Sequence, residues 1–330
     1  MRVERNQLVP NSFGLRSVAP LLVHLEKKAD IPQSLELARE NGLPLLVLGS
    51  GTNVIPSERL EAVVALTEER NIVRRGEFLE VQAGEDWDRV VEFAVEQNLT
   101  GLEALSLIPG KAGSAPIQNI GAYSSELADN LISVECYDTK VGEFIKMSKT
   151  DCAFGYRDSI FKREPQRFIV ASLLFKLSET EPVMPDYKDV LRYFAERENN
   201  SPTLKQIREA IIKIRQGKLP DYKELPNCGS FFKNPIIEND LATKLKSEFP
   251  DLPAFPAGSK TKIPAGYLLD QAGLKGKTIN NIGVYERNAL VLTNPNHASF
   301  ADLLSAKDQI IDIIFQKFGI TLEPEVNIIE

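Results

Sequence analysis

The chain has 330 residues, 43% of them apolar and 26% charged, with a formal net charge of −7 and a pI of about 5.2. This length is enough for about two or three domains with buried cores. The acidic balance argues against nucleic acid as a partner, because proteins that track phosphates present basic surfaces. Three widely spaced cysteines and two histidines give no zinc-binding spacing, so we expect reduced thiols and no metal.

The first residues, "MRVERNQLVPNSFG" (1–14), lack the apolar core of a signal peptide. No apolar run is long enough to span a bilayer. We therefore expect a cytoplasmic protein that is not attached to a membrane.

Helical and strand patterns alternate in the first hundred residues. Residues 32–42 read as a helix ending at Gly42, and the next stretch reads as a buried strand that runs into the loop "GSGTN" (49–53). This loop is not a dinucleotide-binding fingerprint, since Val54 occupies the third glycine position and Pro56 stands where the helix should begin. It also lacks the Gly-Lys-Ser/Thr ending of a P-loop. Further strands are predicted at 62–67 and 78–84, and a helix at 86–98.

The middle of the chain contains a long loop between regular elements. Residues 101–126 are rich in glycine and proline, and loops of this length inside a domain are usually functional. The helix at 201–220 is the clearest in the chain, with Ser201 as predicted N-cap and Pro202 as first helical residue. A domain boundary is expected near Lys218. The other predicted elements are a hairpin at 132–147, a central strand at 168–177, helices at 264–277 and 299–319, and a terminal strand at 320–330.

Three segments carry residue types suited to ligand binding. Backbone N–H groups of "GSGTN" can approach an anion closely, although an ordinary strand-to-turn connection explains the loop equally well. "SAPIQNIGAY" (114–123) adds the carboxamides of Gln118 and Asn119, which suit a planar heterocycle or a pyrophosphate. "FGYRDSIFK" (154–162) presents Arg157, whose rigid fork matches a carboxylate. A surface ion pair within that loop is the alternative.

Charged residues near the helix end and the C-terminus have simpler explanations. Lys218, at the end of the long helix, can satisfy the last carbonyl groups of that helix. Glu323 and Glu325 are two positions apart on the predicted terminal strand and should share one face. Taken alone, neither feature indicates a function.

Residues 227–235, "NCGSFFKNP", place Ser230 between a glycine and two aromatic residues. A nucleophilic serine needs a histidine base, and neither His24 nor His297 lies near a partner motif. A G-x-S-x-G elbow is absent as well. A serine hydrolase is therefore a weak alternative, and another role is expected for this hydroxyl.

Six segments, in this order, resemble the UDP-N-acetylenolpyruvoylglucosamine reductases, the flavoenzymes of bacterial peptidoglycan precursor synthesis. They are "GSGTN", "PGKAGSAPIQNIGAY", "FGYRDSIFK", "GSFFKNP", "AGYLLDQAGLKG" and "LEPEV". The resemblance extends from "NSFG" at 11–14 to "LEPEV" at 322–326, and "YKDV" (187–190) is similar to the longer, type I members.

The resemblance implies an α+β protein. Its expected parts are a two-part FAD-binding module of the vanillyl-alcohol oxidase type and a C-terminal α+β substrate-binding domain. The expected boundaries are an N-terminal FAD-binding subdomain at 1–60, a central FAD-binding subdomain at 61–217 joined by the returning strand 320–330, and a substrate-binding domain at 218–319.

The resemblance also implies ligands. Non-covalent FAD is the expected cofactor, NADPH the electron donor and UDP-N-acetylglucosamine enolpyruvate the substrate, as in an NADP-dependent UDP-N-acetylmuramate dehydrogenase; a monomer is expected. Tyr187, Lys218 and Asn234 are expected to bind the diphosphate and uridine end of the substrate, with Asn288 as a further polar contact. FAD is expected at Gly49, Ser50, Gly51, Thr52, Asn53, Ser114, Ala115, Pro116, Gln118, Asn119, Gly121 and Ala122.

The catalytic residues implied by the resemblance are Ser230, Arg157 and Glu325. Hydride is expected to reach the terminal vinyl carbon from reduced flavin, and an enolate then develops on the carboxylate-bearing side. The adjacent carbon needs a proton, for which Ser230 is the candidate donor, with Lys233 and the backbone near Gly229 as helpers. Arg157 is expected to grip the carboxylate, and a protonated Glu325 is expected to hydrogen-bond to it.

Three places in the sequence depart from the family pattern. Ser124 stands where a glycine commonly follows the tyrosine, and Lys111-Ala112 replaces a more apolar pair; both departures bear on flavin affinity or loop shape. Asn288 is a shorter carboxamide than some members carry, which bears on its contact with the substrate. Two alternatives also stay open: an oxidase or dehydrogenase of the same fold with covalently attached flavin, and a non-catalytic flavin- or nucleotide-sugar-binding protein.

Overall fold

The computed structural model describes residues 1–330, and the chain divides into two compact units. The first unit consists of residues 1–9, 18–51 and 61–216, and the second of residues 10–17, 52–60 and 217–330. The chain therefore enters the second unit three times. The three-domain assignment made above stays a prediction.

Short strands dominate the first half of the chain. In chain order the elements are β1 (Arg2–Leu8), β2 (Val18–Leu25), α1 (Asp30–Glu40), β3 (Leu45–Leu48), β4 (Val54–Pro56), β5 (Val63–Thr67), β6 (Ile72–Arg75), β7 (Phe78–Gln82), α2 (Trp87–Glu96), β8 (Gly121–Ala122), β9 (Ser125–Glu126), α3 (Leu127–Asn130), β10 (Leu131–Asp138) and β11 (Glu143–Ser148). Short 3-10 turns at Glu103–Leu105 and Ala112–Ser114 lie in the long loop.

The second half contains the longest helices. Its elements are α4 (Ile160–Arg163), β12 (Phe168–Lys176), α5 (Lys188–Ala195), α6 (Leu204–Lys218), β13 (Asn227–Ser230), β14 (Ile236–Ile237), α7 (Asn239–Glu248), β15 (Phe255–Ala257), β16 (Lys260–Lys262), α8 (Ala265–Gln271), β17 (Thr278–Ile279), β18 (Ile282–Val284), β19 (Val291–Thr293), α9 (Phe300–Phe318) and β20 (Asn327–Ile329). None of the helices is both long and apolar enough to cross a membrane.

The first unit is built on two sheets. The four-stranded sheet has the order β1-β2-β5-β3, in which β2, β5 and β3 run parallel. The five-stranded sheet is antiparallel and has the order β11-β10-β12-β7-β6. The predicted central strand is confirmed, because β12 has two strands on one side and two on the other. Its apolar run packs with Trp87 in a buried core, as expected for a strand covered on both faces.

The N-terminus of α6 differs from the prediction. The helix begins at Leu204, so Ser201 is not its N-cap and Pro202 is not helical. Thr203 caps the helix instead, because Thr203 Oγ1 accepts from the N–H of Gln206 at 3.3 Å and Gln206 Oε1 accepts from the N–H of Thr203 at 2.9 Å. This reciprocal capping box satisfies the N–H groups of both Thr203 and Gln206.

The second unit has small sheets around a helical core. The strand order β13-β19-β18-β17 forms one sheet, β14-β16-β15 a second, and β20 pairs in parallel with β4. The predicted helix at 299–319 is confirmed as α9, with a capping box between Ser299 and Asp302 and a left-handed Gly319 at its end. Its buried face includes Leu303 and Ile310.

The terminal strand is shorter than predicted. Only Asn327–Ile329 forms β20, whereas the segment before it makes an isolated bridge between Pro324 and Phe232. Proline has no N–H to donate to a ladder, so the strand cannot extend through residue 324. Glu323 and Glu325 do not lie on a regular strand, so strand geometry does not place them on one face as predicted.

Candidate functional site

Two glycine-containing loops meet in the first unit. The edge strand β3 delivers Gly49 at its carboxyl end, and a Cβ atom placed there would lie 3.1 Å from Ser114 Oγ and 3.1 Å from Lys111 Cβ. Gly51 has a φ of 68°, a backbone region that favours glycine. The beginning of "GSGTN" and the segment "SAPIQNIGAY" are thus packed together, too closely for a side chain at position 49.

The polar atoms of Asn119 hold the second loop in shape. Its side chain is completely buried; Oδ1 accepts from the N–H of Ala128 at 3.1 Å, and Nδ2 donates to the carbonyl of Gly155 at 3.2 Å. The preceding turn is equally constrained, because a Cβ at Gly113 would lie 2.6 Å from Ala83 Cβ. The loop is therefore a rigid support, and the carboxamide of Asn119 acts on the protein's own backbone.

Arg157 lies against this loop. It sits in a turn closed by backbone hydrogen bonds across residues 155–158, and its Nη2 donates to the carbonyl of Gly121 at 2.7 Å. Ser159 caps α4 and also donates to the carbonyl of Ile117 at 2.6 Å. These contacts attach "FGYRDSIFK" to the predicted FAD segment, so the arginine side chain is fixed beside it.

The two-residue turn between β8 and β9 adds an aromatic pair. Tyr123 and Ser124 both have positive φ, 52° and 65°, as in a type I′ hairpin turn. The ring of Tyr123 meets the ring of Tyr187 edge-on, with centroids 5.0 Å apart. Burial raises the pKa of Tyr123 to about 12. The predicted substrate residue Tyr187, which precedes α5, is thereby placed at the end of the flavin segment in the same unit.

The sequence analysis did not single out Arg215, which lies beside Tyr123 in the structure. Its side chain hydrogen-bonds with Tyr123, its Nε is buried without a hydrogen bond within the protein, and burial lowers its pKa. Two turns earlier on α6, Arg208 is also buried and contacts Asp88 at 2.7 Å. The signal was available, because Arg208 and Arg215 follow Leu204 and Ile211 at helical spacing and so lie on the buried stripe.

In the second unit, Ser230 ends a bulged strand. Gly229 has a φ of 69°, its N–H donates to Asn227 Oδ1 at 2.9 Å, and the pairing with β19 shifts register between Asn227 and Ser230. Phe231 and Phe232 are completely buried and stack edge-on, with ring centroids 5.0 Å apart. The glycine makes the bulge and the aromatic pair anchors it, which leaves Ser230 half-buried at the strand end.

Glu325 is attached to this strand end. Its N–H donates to the carbonyl of Phe231 at 2.7 Å. Two residues further on, the N–H of Asn327 donates to the carbonyl of Asn53 at 3.0 Å, where β20 begins to pair with β4. The predicted helper Lys233 lies 3.2 Å from Glu323, with which it forms an ion pair. Ser230, Glu325 and the end of "GSGTN" are therefore neighbours within this unit.

Two predicted substrate residues flank the start of α8. Asn234 Oδ1 accepts from the N–H of Ala265 at 2.9 Å. Asn288 Oδ1 accepts from the N–H of Leu290 at 3.2 Å and lies 3.9 Å from the position of a Cβ at Gly266. The structure thus groups both carboxamides around one helical turn.

Lys218 is exposed at the last position of α6. The segment after it is tied to β13, because Asn227 Nδ2 donates to the carbonyl of Pro220 at 3.2 Å. This bond holds the segment that follows the helix beside the strand that carries Ser230.

Comparison with known proteins identifies the family. Residues 220–329 match the family described as UDP-N-acetylenolpyruvoylglucosamine reductase, C-terminal domain, and residues 19–148 match an FAD binding domain. A UDP-N-acetylenolpyruvoylglucosamine reductase from Pseudomonas aeruginosa is 41% identical over 324 residues, with 96% of each chain covered. The chain belongs to this reductase family. A reductase of the same name from Salmonella typhi is 38% identical over 325 residues, covering 97% of this chain and 94% of its own.

A solved structure agrees with this assignment. The UDP-N-acetylenolpyruvylglucosamine reductase from Thermus caldophilus superimposes with a TM-score of 0.70 at 24% identity, covering all of both chains. The predicted family, the α+β fold with an FAD-binding module and the class of FAD-dependent oxidoreductase are confirmed. Membership in the reductase family removes the serine hydrolase alternative. The roles of single residues stay predictions.

Proposed function

We propose that this member of the reductase family reduces the enolpyruvyl ether of UDP-N-acetylglucosamine to UDP-N-acetylmuramate, with NADPH as electron donor. The observation that carries the proposal is 41% identity to a reductase of this name across 96% of both chains. The residues present also fit FAD, because the left-handed Gly51 and the close packing of Gly49 on Ser114 bring the backbone of the two glycine-containing loops together. A monomer in the cytoplasm is part of the same proposal.

When bound here and reduced by NADPH, FAD would supply the hydride for the terminal vinyl carbon. For binding it, we assign Gly49 to Asn53 and, in the second loop, Ser114, Ala115, Pro116, Gln118, Asn119, Gly121 and Ala122. The side chain of Asn119 contributes by holding this loop in shape, since both polar atoms of its carboxamide bond to protein backbone. The rigidity of the second loop supports this role, since a site built on fixed backbone loses little entropy when it binds.

Ser230 donates the proton in this proposal. After hydride addition, the carbon that bears the carboxylate carries negative charge and accepts a proton from Ser230 Oγ. No histidine is needed, because the hydroxyl gives up a proton and does not attack carbon. Its position on a bulged strand end, anchored by two buried phenylalanines, supports the role, since proton transfer requires a fixed donor.

Arg157 and Glu325 bind the substrate carboxylate and the developing enolate. The guanidinium of Arg157 is oriented by its hydrogen bond to Gly121, so it meets a carboxylate without much loss of freedom. The backbone of Glu325 is held by its N–H, which donates to the carbonyl of Phe231. As the protonated acid, its side chain donates a hydrogen bond to the substrate carboxylate. Tyr187, Lys218, Asn234 and Asn288 bind the nucleotide-sugar end.

An anaerobic spectrum of the purified flavoprotein tests the proposal. NADPH should bleach the flavin absorbance, and UDP-N-acetylglucosamine enolpyruvate should restore it. Bleaching without recovery would contradict the substrate assignment while leaving the oxidoreductase class intact. A protein that does not bind FAD after reconstitution would contradict the assignment of both glycine-containing loops.

A further inference from the structure

Asp86 occupies the N-cap of α2 but makes no capping hydrogen bond. An aspartate at this position usually accepts from an N–H group of the first turn. Its carboxylate instead contacts two cations, with Lys111 Nζ 2.6 Å from Oδ1 and Arg70 Nη1 3.0 Å from Oδ2. The carboxylate of Glu85 also lies here, because it accepts from the N–H of Asp86 at 3.0 Å, so two cations and two carboxylates meet at the start of α2.

Lys111 connects this charge to both glycine-containing loops. A Cβ at Gly49 would lie 3.1 Å from Lys111 Cβ and 3.2 Å from its Cγ, so the lysine stem runs beside Gly49. The carbonyl of Lys111 accepts from the N–H of Ser114 at 3.0 Å and from its Oγ at 2.8 Å. The lysine side chain is only 11% exposed. One residue therefore contacts Gly49, Ser114 and Asp86.

We propose that Lys111, oriented by Asp86, is a positioning residue for the diphosphate of FAD. This inference rests on the proposed function, which places FAD at Gly49 and Ser114. The lysine stem fixes the distance between the two loops, and its ammonium group, which Asp86 holds at 2.6 Å, supplies a positive charge for an anion at that point.

The test is FAD binding by the apoprotein, followed by flavin fluorescence, with ADP and adenosine as competitors. Lys111→Met keeps most of the stem and removes the charge. It should lower the affinity for FAD and for ADP about tenfold and leave the affinity for adenosine unchanged. Lys111→Arg should restore affinity to within about twofold. Asp86→Asn keeps a good N-cap residue. It should also lower the affinity for FAD, because the lysine loses its orientation. Lys28→Met, which removes an ion pair with Glu135 in the same unit, is the matched control.

Several results would overturn the inference. Unchanged FAD affinity in Lys111→Met would remove the role, and equal losses for ADP and adenosine would mean a general disturbance of the loop. Tighter FAD binding by Asp86→Asn would show that charge alone matters and that Asp86 orients nothing. Gly49→Val distinguishes a wrong FAD site from a wrong role of Lys111. If this variant binds FAD like the wild type, the FAD site itself is wrongly assigned. If it binds weakly while Lys111→Met binds normally, only the inference about Lys111 fails.

Discussion

The N–H of Glu325 donates to the carbonyl of Phe231, the residue directly after Ser230, at a distance of 2.7 Å. Two residues that were predicted to be catalytic therefore lie on hydrogen-bonded pieces of main chain. The bond joins backbone to backbone, so it does not depend on the side chains at positions 230 and 325. Substitutions of these side chains should change chemistry more than folding.

Ser230→Ala should separate the two half-reactions. We expect flavin reduction by NADPH to keep its rate, whereas flavin reoxidation by the enolpyruvyl substrate should slow by about 10²–10⁴-fold, the usual contribution of a positioned proton donor. Stopped-flow absorbance of the flavin measures both rates. Equal slowing of the two half-reactions would remove the proton-donor role.

Arg157→Lys should impair the same half-reaction. Lysine keeps the charge but cannot offer two parallel N–H donors to a carboxylate, and we expect reoxidation to slow by about 10²-fold or more. Arg163→Lys, on the neighbouring helix α4 and about half exposed, is the control and should have little effect. Rapid turnover by Arg157→Lys would show that charge alone suffices.

Lys218→Ala should weaken substrate binding. Because Lys218 is assigned to the diphosphate end, which does not react, the KM for the enolpyruvyl substrate should rise about tenfold with little change in kcat. Steady-state kinetics measure both values. Lys213→Ala removes an exposed lysine from the same helix and should leave both unchanged. A loss confined to kcat would contradict a binding role.

The contact between Asp88 and Arg208 should make stability depend on acid pH. Burial acts to raise the pKa of Asp88, but hydrogen bonds from Arg208 and from the N–H of Leu107 lower it below its ordinary value. A carboxylate with a lowered folded-state pKa stabilises the fold above its unfolded pKa and loses that contribution as pH falls through the folded pKa. Asp88→Asn should therefore lower the free energy of unfolding by about 2 kcal/mol near pH 7.

The difference in free energy of unfolding between the wild type and Asp88→Asn should be constant above about pH 5 and should become smaller below about pH 4. Urea unfolding across this range measures it. Glu209→Gln, an exposed change on the same helix as Arg208, should show neither effect. A difference that persists at low pH would mean that ionisation of Asp88 is not the cause.

Ser124→Gly should stabilise the first unit. Ser124 has a φ of 65°, which costs energy for any residue with a Cβ, but its Oγ donates to the carbonyl of Asp186 at 3.0 Å. We expect a net gain of about 0.5 kcal/mol in thermal or urea unfolding. Ser124→Ala keeps the strain and loses the bond, so it should be less stable than the wild type. A lower stability of Ser124→Gly than of the wild type would show that the hydrogen bond to Asp186 outweighs the backbone strain.

Local signals determined many of the elements. The helix from Phe300 to Phe318 was predictable because its capping serine, its apolar stripe and its terminal glycine all lie within its own sequence. The central strand β12 followed from a continuous apolar run. The order of the six motifs was enough to predict the family, the fold class and FAD, because the residue types at those spacings are specific when they occur together.

Only the tertiary structure decided which distant residues meet. The approach of Gly49 to Ser114, the bond between Glu325 and Phe231 and the burial of Arg215 all depend on strand order and on packing between elements. Propensity and periodicity act over a few residues, whereas these contacts form only when the sheets close and bring remote segments together.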